Sequence, residues 1–119
     1  MRLREAQNYF RRAGVAGRIR MNQGDAVALL KKSMSTYDYI FCDVDKKQYP
    51  EALNAAVPRL RHGGLFVVDN VLWSGRVARP AKDAATRAIQ HLNHLLYSSH
   101  DLFSAIVPLR DGVAFARKR

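Results

Sequence analysis

Two rhythms of apolar positions alternate along the chain. Leu3, Ala6, Phe10 and Ala13 follow helical spacing and Gly14 offers a stop, so Leu3 to Ala13 reads as a helix. After a Val15-Ala16-Gly17 turn, Arg18-Ile19-Arg20-Met21 alternates polar and apolar, the pattern of a short strand. Asp25 suits the N-cap of a second helix through Val27, Leu29 and Leu30. Tyr39 to Cys42 are continuously apolar and rich in strand formers, which predicts a strand covered on both faces in a parallel sheet. Tyr49-Pro50-Glu51 opens a helix expected to reach Arg61 with a break near Pro58, and His62-Gly63-Gly64 ends it. Leu65 to Val68 is a second fully apolar strand. Trp73 to Lys82, with Gly75 and Pro80, reads as a loop. Asp83 to Ser98 is an amphipathic helix with Ile89, Leu92, Leu95 and Leu96 on one face. Leu102 to Pro108 and Gly112 to Ala116 read as a hairpin, signalled by Asp111-Gly112.

Helices that alternate with strands predict one α/β domain over residues 1–119, mainly parallel, with an antiparallel hairpin at its C-terminus. The chemistry then falls at one place. Tyr39 to Cys42 runs into Asp43, and Leu65 to Val68 runs into Asp69-Asn70. Parallel strands end at the same sheet edge, where open α/β proteins bind ligands. Two carboxylates and an amide oxygen there make a hard oxygen site suited to Mg²⁺ or another divalent cation. The plainer alternative is that each Asp caps the helix or turn that follows it. Lys46, three residues after Asp43, can reach back over the strand end as a base, or stay a solvated lysine beside Lys47. No G-x-G-x-x-G turn, Walker-type loop, C-x-x-C pair or Ser nucleophile elbow occurs.

Composition narrows the classes. At 119 residues and 48% hydrophobic, the chain can bury a modest core. No apolar run approaches membrane-span length, and the N-terminus lacks a signal-peptide pattern. One cysteine, Cys42, sits in an apolar run and reads as a core residue, which suits a cytoplasmic location. His91, His94 and His100 read as surface residues, with no second pair to complete a metal site. The formal charge of +10 permits attraction to nucleic acid. The arginines are nevertheless spread from end to end, and the only basic run is Arg117-Lys118-Arg119, so a nucleic-acid partner is not favoured.

The stretches "AGVAGRIRMNQGDAVALL", "YDYIFCDVDKKQYP", "LRHGGLFVVDNVLWSGRV" and "DGVAFARK" together resemble, in order, the cation-dependent O-methyltransferases, the caffeoyl-CoA and catechol O-methyltransferase-like family. The resemblance implies a Rossmann-like class I methyltransferase fold that moves the methyl group of S-adenosylmethionine to the hydroxyl of a small, often catechol-like acceptor. It implies Asp43, Asp69 and Asn70 as ligands of Mg²⁺ or another divalent cation, and Lys46 as the base. It also implies Asp25 and Ala26, with Asp43, at the cofactor site, and Trp73 and Arg76 beside the substrate. The chain resembles the C-terminal half of a family member. The expected fold is therefore partial, with the first two strands and the glycine-rich cofactor turn missing. Such a chain should bind cofactor weakly, turn over poorly or not at all, and self-associate through an exposed sheet edge. The Arg18 strand should dock on the Asp43 strand or be displaced. Two other readings fit the same residues: an inactive remnant serving as an interaction module, and a basic nucleic-acid-binding domain.

Overall fold

A computed structural model describes residues 2–119. Four helices and four strands form it in the order α1 (Arg2–Arg12), α2 (Ala26–Lys32), β1 (Tyr37–Cys42), α3 (Tyr49–Ala56), β2 (Leu60–Asp69), α4 (Ala84–Ser98), β3 (Leu102–Val107) and β4 (Val113–Lys118). The fold is α/β. Its single sheet has the order β1-β2-β4-β3. β1 pairs with β2 in parallel, whereas β4 pairs antiparallel with both β2 and β3. The sheet is thus mixed, with fewer parallel pairings than the alternation of elements led us to expect. The reason is topological: β2–α4–β3 is a second crossover to a parallel strand, but β4 inserts antiparallel between β2 and β3, so β1–β2 is the one parallel pairing among the described residues.

One face of the sheet carries the core. Cys42, Phe66, Val68, Ala114 and Ala116 project toward Tyr49, Leu53 and Ala56 of α3 and Ile89, Leu92 and Leu96 of α4, and all are buried. α4 starts where the sequence predicts, because Asp83 caps it: its carboxylate accepts both the backbone N–H and the hydroxyl of Thr86. α3 stops at Ala56, earlier than the expected Arg61. Pro58 removes a backbone donor and diverts Val57–Arg59 into a 3-10 turn. β2 begins at Leu60, and residues 61–64 loop out of register before Leu65 pairs with Tyr39.

Two expectations are corrected. Arg18 to Met21 forms no strand: Ala16–Arg18 is a 3-10 turn, and the extended backbone at Ile19 pairs with nothing. A strand needs a neighbour, and none borders this segment. β1 is not covered on both faces either. It is an edge strand, with Tyr39 54% and Phe41 53% exposed. α1 buries no residue. The radius of gyration, 15.6 Å, exceeds the roughly 13.5 Å expected of a compact domain this long, as the projecting α1 requires. Among the described residues no helix is long and apolar enough to cross a membrane.

Candidate functional site

The site is assembled by register. Cys42 pairs with Val68, so Asp43, just past the end of β1, and Asp69, the last residue of β2, leave the sheet at the same edge. Asp69 also pairs with Val113, which opens β4. Because β4 runs antiparallel, the turn before it falls at the same edge. That turn carries Asp111, which the sequence marked only as a hairpin signal.

Each polar residue is held by named bonds. The Lys46 ammonium lies 4.0 Å from Asp43 Oδ1 and donates to the Tyr49 hydroxyl at 2.6 Å. Tyr49 in turn donates to the Asp69 carbonyl oxygen at 3.0 Å, and Lys46 stands over its ring at 4.8 Å. Tyr49 is completely buried, and that burial, reinforced by the acids around it, pushes its phenol up, so it stays a hydroxyl. Lys46 is therefore not a solvated lysine: its side chain is 20% exposed, against 73% for Asp43. Asp69 Oδ1 accepts the backbone N–H of Asn70 at 2.7 Å.

Asn70 adopts a left-handed backbone, φ 63°, and so do Trp73, Ser74 and Gly75 in the following loop. The three non-glycine residues among them cost of order 1 kcal/mol each and persist only where their surroundings fix them. Here the hairpin turn and α4 do so. Asp111 accepts the Ser74 N–H at 2.6 Å and the Asn70 side-chain N–H at 3.4 Å. Val71 and Leu72 donate to the carbonyls of Gly112 and Asp111. From α4, Asn93 donates to the Val71 carbonyl and Gln90 to those of Val77 and Arg79. With its Nδ2 turned to Asp111, the Asn70 Oδ1 is left to accept from or ligate something else. The loop expected from Trp73 to Lys82 begins as a 3-10 stretch, Trp73–Ala78, with a kink inside it. The Arg76 guanidinium lies 5.5 Å from the Trp73 ring centre. Trp73 Nε1 is buried and donates to nothing among the described residues.

Asp25 lies at the start of α2. Its Oδ1 accepts the Ala28 N–H at 2.8 Å, which with the Gln48 side chain holds its carboxyl below the usual range. Gln48 donates to Oδ2 at 3.2 Å and so ties α2 to the turn that carries Lys46. Cys42 is a buried core thiol, and burial pushes its pKa up. His91, His94 and His100 are exposed. Sequence reasoning missed Tyr49, Gln48 and Asp111 as site residues. Only Asp111 left a signal: a residue just before an antiparallel closing strand faces the end of its neighbour.

Among the described residues no three His, Cys, Asp or Glu side chains converge as a metal cage. The donor set at the strand ends is instead two carboxylates and an amide oxygen. These are the donor types that a hard cation takes, and the Asp43 side chain is open to solvent.

Residues 2–119 match a family model described as O-methyltransferase. The chain is 30% identical over 120 residues to caffeoyl-CoA O-methyltransferase 5 of Nicotiana tabacum, an alignment spanning 90% of this chain and 50% of that protein. It is 30% identical over 131 residues to caffeoyl-CoA O-methyltransferase of Stellaria longipes, spanning 97% of this chain and 54% of that one. Among solved structures it superposes on the O-methyltransferase TomG of Streptomyces achromogenes, in complex with SAM, with a TM-score of 0.89 and 25% identity over 98% of this chain and 56% of that one. The chain spans about half the length of the curated relatives it matches. With residues 2–119 matched by the family model, the chain belongs to the O-methyltransferase family.

Proposed function

We propose that this chain carries the acceptor and cation side of an S-adenosylmethionine-dependent, divalent-metal-dependent O-methyltransferase acting on a small, catechol-like hydroxyl acceptor. The observation that carries the reading is the convergence of Asp43, Lys46, Asp69 and Asn70 at the ends of β1 and β2. Asp43, Asp69 and Asn70 would hold Mg²⁺ or another divalent cation. When bound, the cation supplies Lewis acidity toward the acceptor oxygens. Lys46, held by Tyr49, is the proposed base: once it has released a proton to solvent, the neutral amine takes the acceptor proton at Nζ. Asp25 and Ala26 take the adenine end of the cofactor, and Asp43 borders it. Trp73 and Arg76, stacked on one another, line the acceptor side. These groups bind and orient, so much of the expected rate gain is positional.

We also propose that the chain self-associates through its open sheet edge and works in the cytoplasm. A mass-spectrometric assay tests the chemistry. Catechol incubated with S-adenosylmethionine and Mg²⁺ should yield methylated product slowly. Product should disappear with a chelator and fall at least about a hundredfold in Lys46→Ala, the usual range for a general base. Product formed equally with chelator would contradict the cation dependence, and no product at all would favour the inactive-remnant alternative.

A further inference from the structure

A polar stripe runs along one side of α4. Thr86, Gln90, Asn93 and Tyr97 recur at helical spacing, beside the buried Ile89, Leu92 and Leu96. Thr86 serves the N-cap, and the Tyr97 hydroxyl accepts the Ile106 N–H of β3. Gln90 and Asn93, between them, serve the loop after β2. Asn93 Nδ2 donates to the Val71 carbonyl at 2.8 Å, directly after Asn70. Gln90 Nε2 donates to the carbonyls of Val77 at 3.1 Å and Arg79 at 2.8 Å, so both its N–H groups are spent on the segment that flanks Arg76. The two grips lie three residues apart on the helix, about 4.5 Å along its axis. Residues 72–76 arch between them, and Asp111 supports the arch through the Ser74 N–H at 2.6 Å. This arch is not built for stability alone. Asn70, Trp73 and Ser74 hold left-handed backbones that non-glycine residues disfavour. Trp73 Nε1 and Asn93 Oδ1 are buried without a partner among the described residues. Strain and unpaired polar atoms gathered in one segment point to a functional constraint.

On the roles proposed above for Asn70, Trp73 and Arg76, we propose that Asn93 and Gln90 are positioning residues with separate duties. Asn93 sets the place of Asn70 at the cation end of the arch. Gln90 sets the place of the Trp73–Arg76 pair at the acceptor end, and so which acceptors fit. Each acts through a backbone carbonyl rather than by touching cation, cofactor or acceptor. Both grips need a donor, because the carbonyls they hold can only accept. Losing the donor leaves a carbonyl unpaired at that foot of the arch alone. The helix between the grips stays in place, since Ile89 and Leu92 are wholly buried, so one foot can be released while the other holds.

The experiment compares Gln90→Met and Asn93→Leu, which keep approximate shape and add no charge, with the parent chain. Trp73 is the sole tryptophan, so its emission and its indole N–H resonance report on the arch. Gln90→Met should shift the Trp73 indole and the amides from Trp73 to Arg79. It should weaken catechol binding, read in Mg²⁺ by quenching of Trp73 emission, about tenfold or more, and leave Mn²⁺ affinity within about twofold. Asn93→Leu should shift the amides of Asn70 and Val71 and weaken Mn²⁺ binding about tenfold or more, the usual effect of losing support behind a metal ligand. Should either variant fail to fold, Gln90→Glu and Asn93→Asp, which keep shape and polarity but lose the donors, carry the same amide comparison. The same amides shifting in both variants, Mn²⁺ affinity falling equally in both, or no shift in either would overturn the proposal. A parent that binds neither Mn²⁺ nor catechol would instead overturn the function proposed above, and the amide pattern would still decide whether the two grips act separately.

Discussion

Tyr49 joins the two strand ends: it accepts from Lys46 and donates to the Asp69 carbonyl. Tyr49→Phe removes both bonds and leaves a largely buried ammonium short of an acceptor. We expect a loss of about 1–3 kcal/mol in urea denaturation. The phenol has a second consequence. Its folded pKa is raised by burial, so the folded state keeps the proton that the unfolded state gives up. Stability from this group is complete below pH about 10, the unfolded value, and is lost as pH rises beyond it. Alkaline melts should show a limb that Tyr49→Phe lacks. Asp83 has the opposite sign. The Thr86 backbone N–H, then the Thr86 hydroxyl, hold its carboxyl low, so its contribution is present above the unfolded value of about 4 and is lost as pH falls below it. Asp83→Asn should flatten the acid limb of the same melts. Asp43, Lys46, Asp69 and Asn70 stood out in the sequence as polar residues ending or following apolar runs. Tyr49 and Gln48 did not, because their partners lie on other elements and a tyrosine opening a helix looks like any core residue.

Among elements, the hairpin turn before β4 governs the site most directly. Gly112 has φ +80°, and a Cβ there would stand 2.4 Å from Leu72 Cγ. Gly112→Ala should destabilise the chain by more than about 1 kcal/mol by thermal melt. It should also shift the amide resonances of Asn70 to Ser74, since Val71 donates to the Gly112 carbonyl. In α4, Leu92 is wholly buried, and Leu92→Ala should cost about 2–5 kcal/mol. α4 and the hairpin were legible because cap, apolar stripe and turn residues are local signals. The Arg18 strand was not, because alternation describes one side of a ladder and says nothing of whether a neighbour exists. β1 was misread for the same reason. A continuous apolar run signals burial only if something arrives to bury it, and Tyr39 and Phe41 stay exposed.

At the scale of the molecule, the charge and the sheet tell different stories. The basic tail is part of the fold. Lys118 donates to the carbonyls of Val57 and Leu60 at 2.9 Å each, and the Arg119 backbone N–H donates to the Asp101 carbonyl. That leaves the bare sheet face and the unpacked α1 as the main unfinished surfaces, while the strand ends stay rigidly specified by β2, β4 and α4. The central claim, that those strand ends form a divalent-cation site, has a direct test in Mn²⁺ titration of the ¹⁵N-labelled chain. Paramagnetic broadening should centre on the amides of Asp43, Asp69 and Asn70 and vanish in Asp69→Ala. Broadening that centres elsewhere, or persists unchanged in Asp69→Ala, would contradict it.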